Sequence, residues 1–216
     1  SEKVEAIDRD TVLHQDHCVC AGDANGMGTH TACTAADWTA WTSTTTLPTS
    51  GNYYLTGDYS VSGSIFIVPG AKVNLCLNGY KLTTGGRSIS INGELNICDC
   101  DGSGGIHSKS AGNAPTIYTG SGGLVNIYGG TYTAVESDTR EFGGCFGLSN
   151  DLIMQNCDTD GDGKADNTTK LAAAANIYGG KFVGTNLNCA DGSPSVTGSG
   201  ACGFVGGSTT LTIYGG

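Results

Sequence analysis

Basic residues are scarce in this sequence. Its 216 residues include 10 Lys+Arg against 20 Asp+Glu, which gives a formal net charge of −10. A protein that binds nucleic acid or an anionic membrane needs a basic surface that neutralises phosphates. The charge balance therefore argues against both partners, and it favours solubility and the binding of cations.

Long apolar runs are also missing. No stretch of about 18 apolar residues is present, so the sequence predicts no transmembrane helix. The first residues, SEKVEAIDRD, are charged where a secretory signal peptide would have its apolar segment. The sequence stops within a repeat, at TIYGG. We therefore expect a mature piece of a longer secreted protein, truncated in mid-repeat, rather than a cytosolic protein.

Helix signals are nearly absent, whereas glycine is abundant. Glycine accounts for 36 residues, well above the usual ~7 %, and it shows no collagen period. Apolar residues still make up 38 % of the chain, which argues against a disordered linker. This combination predicts an all-β chain with many tight turns. The best helix candidate, KLAAAANIYGG, continues into a repeat, so its alanines are interpreted as the start of a strand.

One short sequence recurs at uneven spacing: LVNIYGG at 124–130, AANIYGG at 174–180 and TLTIYGG at 210–216. Aligned with these, VNLCLNG at 73–79 and LNICDCDG at 95–102 are degenerate copies. The first interval between the three clear copies is 50 residues and the second is 36. Irregular spacing of this kind is typical of a solenoid, in which each coil tolerates an insertion.

The repeat has a frame of four alternating positions. Positions one and three are aliphatic and are predicted to face the core, because alternate residues of a strand share a face. Position two is Asn or Thr and is predicted to point outward. Position four forms a predicted outward or corner ladder with a coil spacing of roughly 4.8 Å: Cys76, Cys98, Tyr128, Tyr178 and Tyr214. The three tyrosines are candidate sugar-stacking residues, although an outward aromatic ladder is more often structural.

These patterns predict an all-β fold, a right-handed parallel β-helix of about five coils over residues 61–216. A meander of β-hairpins is the alternative, but it does not explain a core-facing ladder that recurs in one register. A solenoid needs end caps. Residues 1–60 depart from the frame, so we expect them to form an N-terminal cap in which Trp38 and Trp41 cover the open end. Sugar binding by these tryptophans is the alternative.

The segment CDTDGDGKADNTT has the spacing of a calcium loop, since hard oxygens recur on a tightly turned backbone. The predicted ligands are Asp158, Asp160, Asp162, the carbonyl of Lys164, and Asp166. Thr169 stands where an EF-hand has its bidentate acid, so the loop resembles the DxDxDG loops of thrombospondin type 3 repeats more closely. It predicts a structural Ca²⁺ site in an insertion at about 150–170. A solvated acidic turn is the alternative.

A second candidate metal site lies in the His/Cys-rich head HQDHCVCAGDANGMGTHTAC. Three thiolates and one imidazole suit a closed, tetrahedral Zn²⁺ site: Cys18, Cys20, His30 and Cys33. A disulfide plus a remaining thiol is the alternative interpretation.

The other cysteines of the ten suggest pairs, either as stacked thiols or as disulfides. Cys76 and Cys98 stand at the same position of neighbouring coils. The remaining candidate pairs are Cys145 with Cys202 and Cys157 with Cys189. Cys100 is left without an equivalent.

Catalytic motifs are missing: the sequence contains no G-x-S-x-G, H-E-x-x-H, P-loop or dinucleotide fingerprint. β-Helical lyases and glycosidases group carboxylates or a basic residue on one sheet face. The best such group here is Glu136 and Glu141 with Arg140 between them, and a solvated surface loop explains it more simply. We therefore expect a protein that is not an enzyme.

Several motifs occur together in the first half of the chain: CVCAG, then DWTAW, LPTSGNYYL and VNLCLNG, with IYGG coils after them. This order resembles the large β-helical, adhesin-like surface proteins of gut Firmicutes and Clostridia. The resemblance implies secretion, a Gram-positive cell surface, and an adhesive or stalk role, with a host or bacterial glycan or glycoprotein as the partner. A carbohydrate-active β-helix enzyme and a module that binds a specific host protein are the alternatives.

Overall fold

The computed structural model describes ten segments of the chain: 17–21, 29–33, 38–41, 50–85, 89–100, 102–108, 115–133, 145–149, 170–183 and 204–214. Within these segments all regular structure is β-strand, and none of it is helical. Accordingly, no helix in this part of the chain has the length and apolar character of a membrane span.

Three parallel sheets contain most of the strands. Sheet 1 consists of β3 (Thr39–Trp41), β4 (Gly51–Leu55), β7 (Lys72–Cys76), β10 (Glu94–Cys98), β13 (Leu124–Ile127), β16 (Ala173–Ile177) and β19 (Thr209–Ile213). Sheet 2 consists of β5 (Tyr59–Val61), β8 (Lys81–Thr84), β11 (Gly105–Ser108), β14 (Thr131–Thr133) and β17 (Lys181–Val183). Sheet 3 consists of β6 (Ile65–Ile67), β9 (Ile89–Ile91), β12 (Ile117–Thr119), β15 (Phe146–Ser149) and β18 (Phe204–Gly206). Separately, β1 (His17–Ala21) and β2 (Thr29–Cys33) form an antiparallel pair.

Consecutive strands visit the three sheets in turn. The chain passes through β4, β5 and β6, and then returns to sheet 1 as β7, which pairs in parallel with β4. The same succession recurs in β7 to β9, β10 to β12, β13 to β15 and β16 to β18. This arrangement is consistent with a parallel β-helix or solenoid. It is inconsistent with a hairpin meander for these strands, since neighbours in a meander run antiparallel.

The uneven repeats are direct neighbours in sheet 1. Asn96 pairs with Asn74 on one side and with Asn126 on the other. Asn126 in turn pairs with Asn176, although 50 residues of sequence separate them. The long interval is therefore an insertion between stacked strands, and part of it falls between β15 and β16, where other coils have a short turn.

The alternation predicted for the repeat frame is confirmed in four copies, since the aliphatic residues at positions one and three are buried, and all of them except Ile177 belong to one core cluster. These residues are Val73, Leu75, Leu95, Ile97, Val125, Ile127, Ala175 and Ile177. In β19, which pairs with β16, Leu211 is only half-buried and Ile213 is 60 % exposed. Sheets 2 and 3 close the core with side chains such as Leu82, Tyr132, Ile89 and Phe146.

Sheet 1 extends into residues 1–60, the segment that is predicted to form the N-terminal cap, since β3 pairs with β4 and β4 pairs with β7. Trp41 is buried in the main core, with its ring centroid 6.4 Å from that of Tyr59. Trp38 is buried in a separate cluster with Cys76 and Cys98. Because both indoles are almost fully covered, they offer little ring surface to a sugar.

Candidate functional site

Three cysteine sulfurs meet at one corner of the molecule. Cys76 and Cys98 are the last residues of β7 and β10 and pair with each other in register, as the sequence frame predicts. Cys100 follows two residues after Cys98, in the turn. The Sγ atoms of all three lie within 4.8 Å of one another. The Cys76 thiol donates a hydrogen bond to Cys100 Sγ over 3.4 Å.

Asp99 fixes the turn that carries Cys100. Its Oδ1 accepts a hydrogen bond from Gly79 N (2.8 Å), and its Oδ2 accepts one from Gly104 N (2.7 Å). A Cβ atom on Gly104 would lie 2.7 Å from the Cβ of Leu77, so only glycine fits there. The carboxylate thus links the turn after β7, through Gly79, to the turn after β10, through Gly104. Cys100 lies in the second of these turns, between Asp99 and Gly104 in sequence.

Aromatic side chains surround the two strand cysteines. Trp38 forms a buried cluster with Cys76 and Cys98, and the half-buried rings of Tyr54 and Tyr128 pack against it. Cys76 is fully buried and Cys98 nearly so, whereas Cys100 is exposed. The sulfur cluster is therefore shielded from solvent at Cys76 and Cys98 and accessible to solvent at Cys100.

The cluster disfavours thiolate anions in the absence of a cation. The hydrogen bond to Cys100, together with burial, raises the pKa of Cys76 to about 12. The pKa of Cys98 is also raised well above its usual value, by the hydrogen bonds to Cys100 and Cys76 and by burial. These two cysteines are therefore thiols at neutral pH, because the hydrogen bonds with Cys100 favour their protonated forms and burial disfavours the charged ones.

The predicted tyrosine ladder forms a continuous aromatic stack on sheet 1. The ring centroids of Tyr128 and Tyr178 are 4.7 Å apart with an interplanar angle of 4°. Those of Tyr178 and Tyr214 are 4.6 Å apart with an angle of 5°. Both faces of the Tyr178 ring are therefore covered by its neighbours. A planar ligand has access to ring edges and to Tyr214, which is 39 % exposed.

A second ladder runs beside the tyrosines and is made of asparagine side chains. Each amide Nδ2 donates to the Oδ1 of the asparagine on the preceding coil, over 2.6–2.8 Å. Its members are Asn52, Asn74, Asn96, Asn126 and Asn176. The repeat frame contains the last four, but Asn52 and the continuity of the hydrogen bonding were not predicted from the sequence.

The predicted calcium ligands all lie outside the described residues: Asp158, Asp160, Asp162, Lys164 and Asp166. The acidic group around Arg140 does so as well. For the predicted zinc ligands the structure gives backbone pairing. Cys20 lies opposite His30, and Cys33 lies opposite His17. Cys18 lies opposite Ala32.

Comparisons with family models, with curated proteins and with solved structures find no match to this chain.

Proposed function

We propose that this chain is a non-enzymatic, extracellular β-helix module of a larger bacterial surface protein, and that it acts as a stalk. The observation that carries the proposal is the pair of side-chain ladders along sheet 1. Five asparagines are joined by hydrogen bonds, and three tyrosines are stacked face to face. Ladders of this kind rigidify a stack of strands, because each coil is bound to the next by side chains as well as by the backbone.

The stalk is a right-handed parallel β-helix of about five coils. The count is supported by the five successions of three strands, from β4 to β6 through β16 to β18. The hand is supported by the general behaviour of crossovers between parallel strands in one sheet, which are right-handed in about 98 % of cases.

A stalk role fits the aromatic residues better than an adhesive role does. Sugar-binding surfaces need open ring faces, whereas Tyr178 is stacked on both faces and both tryptophans are buried. If the module also adheres, its partner is a host or bacterial glycan or glycoprotein, and among the described residues the exposed rings of Phe66 and Tyr214 are available to contact it. The proposed location of the protein on a Gram-positive cell surface is based on the resemblance of its head and coil motifs to the β-helical surface proteins of gut Firmicutes.

The proposal also includes two metal ions, Ca²⁺ and Zn²⁺, each with a structural role. The Ca²⁺ loop that begins at Asp158 would fasten the insertion between β15 and β16, and its support is the DxDxDG spacing. The Zn²⁺ site in the head is proposed from its Cys and His content; the β1–β2 register pairs Cys20 with His30, but it pairs Cys33 with His17, out of phase with Cys18 and Cys20.

The test is a panel of plant, bacterial and host polysaccharides, assayed with the purified 216-residue chain for both turnover and binding. The stalk proposal predicts no product and no saturable binding. Turnover that disappears in Glu136→Gln or Glu141→Gln would establish the enzyme instead. Saturable glycan binding that is lost in Tyr214→Ala would establish the adhesive role.

A further inference from the structure

We propose that Cys76, Cys98 and Cys100 form a binding site for a thiophilic metal cation, held between their three sulfur atoms. This site is separate from the predicted zinc ligands of the head and from the calcium loop. Its ligands come from two neighbouring coils: Cys76 from β7, and Cys98 and Cys100 from β10 and the turn that follows it.

The sulfur atoms already have nearly the spacing that a metal requires. A tetrahedral zinc–thiolate centre with bonds of about 2.3 Å keeps its sulfurs about 3.8 Å apart. The Sγ atoms of Cys76 and Cys100 are 3.4 Å apart, and no pair in the cluster exceeds 4.8 Å. Rotations of the three side chains would therefore be enough to surround a cation, without a change in the backbone.

The backbone holds these ligands in place in advance. Cys76 and Cys98 are fixed by the parallel pairing of β7 with β10. The turn of Cys100 is fixed by the two hydrogen bonds that the Asp99 carboxylate accepts. A site whose ligands are already ordered loses little conformational entropy on binding. The exposed position of Cys100 gives an ion a route into the otherwise buried cluster.

The donor set selects the class of metal. Thiolates prefer soft or borderline cations such as Zn²⁺, Cd²⁺ and Cu⁺, whereas Ca²⁺ and Mg²⁺ require oxygen ligands. Asp99, which stands between Cys98 and Cys100 in sequence, has each carboxylate oxygen engaged by a backbone N–H group. Among the described residues the site therefore offers three sulfur ligands. A fourth coordination position would be taken by water or by an exogenous ligand.

The experiment is a Cd²⁺ titration of the whole chain, prepared without metal, under nitrogen and with a phosphine reductant. The thiolate-to-cadmium absorbance reports binding to sulfur. Cys18→Ser and Cys20→Ser are introduced together as the background, because they remove two thiols of the predicted head site. One equivalent of Cd²⁺ should still bind with a thiolate absorbance.

Cys100→Ser in this background should weaken that binding by at least about tenfold, since loss of a direct ligand costs no less than loss of an outer partner. Cys100 is exposed, so the fold should survive, which near-ultraviolet circular dichroism checks. Cys145→Ala is the matched control, since Cys145 is a buried cysteine outside the cluster, and it should leave the titration unchanged. The proposal is overturned if the background protein takes up no Cd²⁺, or if Cys100→Ser binds it with unchanged affinity.

Discussion

The phenol rings of Tyr178 and Tyr214 lie parallel, with centroids 4.6 Å apart, although 36 residues of sequence separate them. Tyr128 covers the opposite face of Tyr178 at 4.7 Å. The uneven spacing of the IYGG copies therefore ends in an even stack, because the strands that precede the three tyrosines are direct neighbours in sheet 1.

Removing the middle ring of this stack should destabilise the protein more than removing an outer ring. Tyr178 takes part in two ring pairs and Tyr214 in one. An aromatic pair contributes about 0.5–1.5 kcal/mol, so Tyr178→Ala should lower the free energy of unfolding by about 1–3 kcal/mol. Tyr214→Ala should cost about half as much, measured by urea denaturation. Equal losses in the two variants would argue against a stabilising stack.

The asparagine ladder should be sensitive to a substitution in its interior. The Asn126 side chain donates to Asn96 and accepts from Asn176, so Asn126→Ala removes two hydrogen bonds at once. We expect a loss of about 1–3 kcal/mol in the free energy of unfolding.

A surface ion pair on two strands of the same sheet is the control for Asn126→Ala. Lys72 and Glu94 approach to 3.0 Å, but the lysine side chain is 62 % exposed. Lys72→Ala should therefore change stability by no more than about 1 kcal/mol. If Asn126→Ala is as mild as Lys72→Ala, the ladder contributes nothing beyond the backbone pairing.

The folded protein should lose stability at alkaline pH. Tyr132 is fully buried, which raises the pKa of its phenol well above the usual value, and its hydroxyl donates to Gly129 O over 2.8 Å. The folded state therefore keeps a proton that the unfolded chain releases. This contribution is fully present below about pH 10, the ordinary tyrosine pKa, and it is lost as pH rises toward the raised value. The raised pKa of Cys76 adds a loss that begins near pH 9.

The variant Tyr132→Phe separates the contribution of Tyr132 to the alkaline loss of stability from that of Cys76. At neutral pH this variant should be less stable by about 0.5–1.5 kcal/mol, because it lacks the hydrogen bond. Its stability should then decline less steeply than that of the wild type above about pH 10, because one ionisable group is missing. Urea denaturation at a series of pH values measures both effects. Parallel declines in the two proteins would contradict the role assigned to Tyr132.

Calcium removal should lower the melting temperature if the loop at 158–166 fastens the insertion. Asp160→Asn should weaken calcium binding, because it removes one of the predicted carboxylate ligands. Lys164→Ala is the matched control, since this residue is predicted to bind only through its backbone carbonyl. Calorimetric melting with and without EGTA measures the effect. An unchanged melting curve of the wild type would mean that no structural calcium is present.

The alternating parts of the fold were predictable from the sequence. Residues such as Val125 and Ile127 share a face whenever the strand is regular, so their burial follows from period two alone. The alanines of Ala173–Ile177 form a strand, as the repeat frame predicts. The four ladder asparagines of the frame and the three stacked tyrosines follow from the same register.

Features fixed by turns or by irregular strands were not predictable. Cys100 joins the sulfur cluster through a turn whose path depends on Asp99 and on backbone donors from two coils. Asn52 belongs to the asparagine ladder, but Gly51 and Tyr53 stand where the frame has Val73 and Leu75, so its strand lacks the aliphatic pattern. In both cases tertiary pairing, rather than local sequence, decides the position.

The most direct test of the stacked arrangement is nuclear Overhauser spectroscopy of the chain with isotopically labelled asparagine side-chain amides. Asn126 and Asn176 are the decisive pair, since their amides hydrogen-bond over 2.8 Å across 50 residues of sequence. The structure predicts a cross-peak between these two amides, and further cross-peaks linking Asn126 through Asn96 and Asn74 to Asn52. Asn126→Ala should remove the cross-peaks at its own position only. Absence of the Asn126–Asn176 cross-peak in the folded wild type, with the signals of both amides assigned, would contradict the stack and the stalk proposed from it.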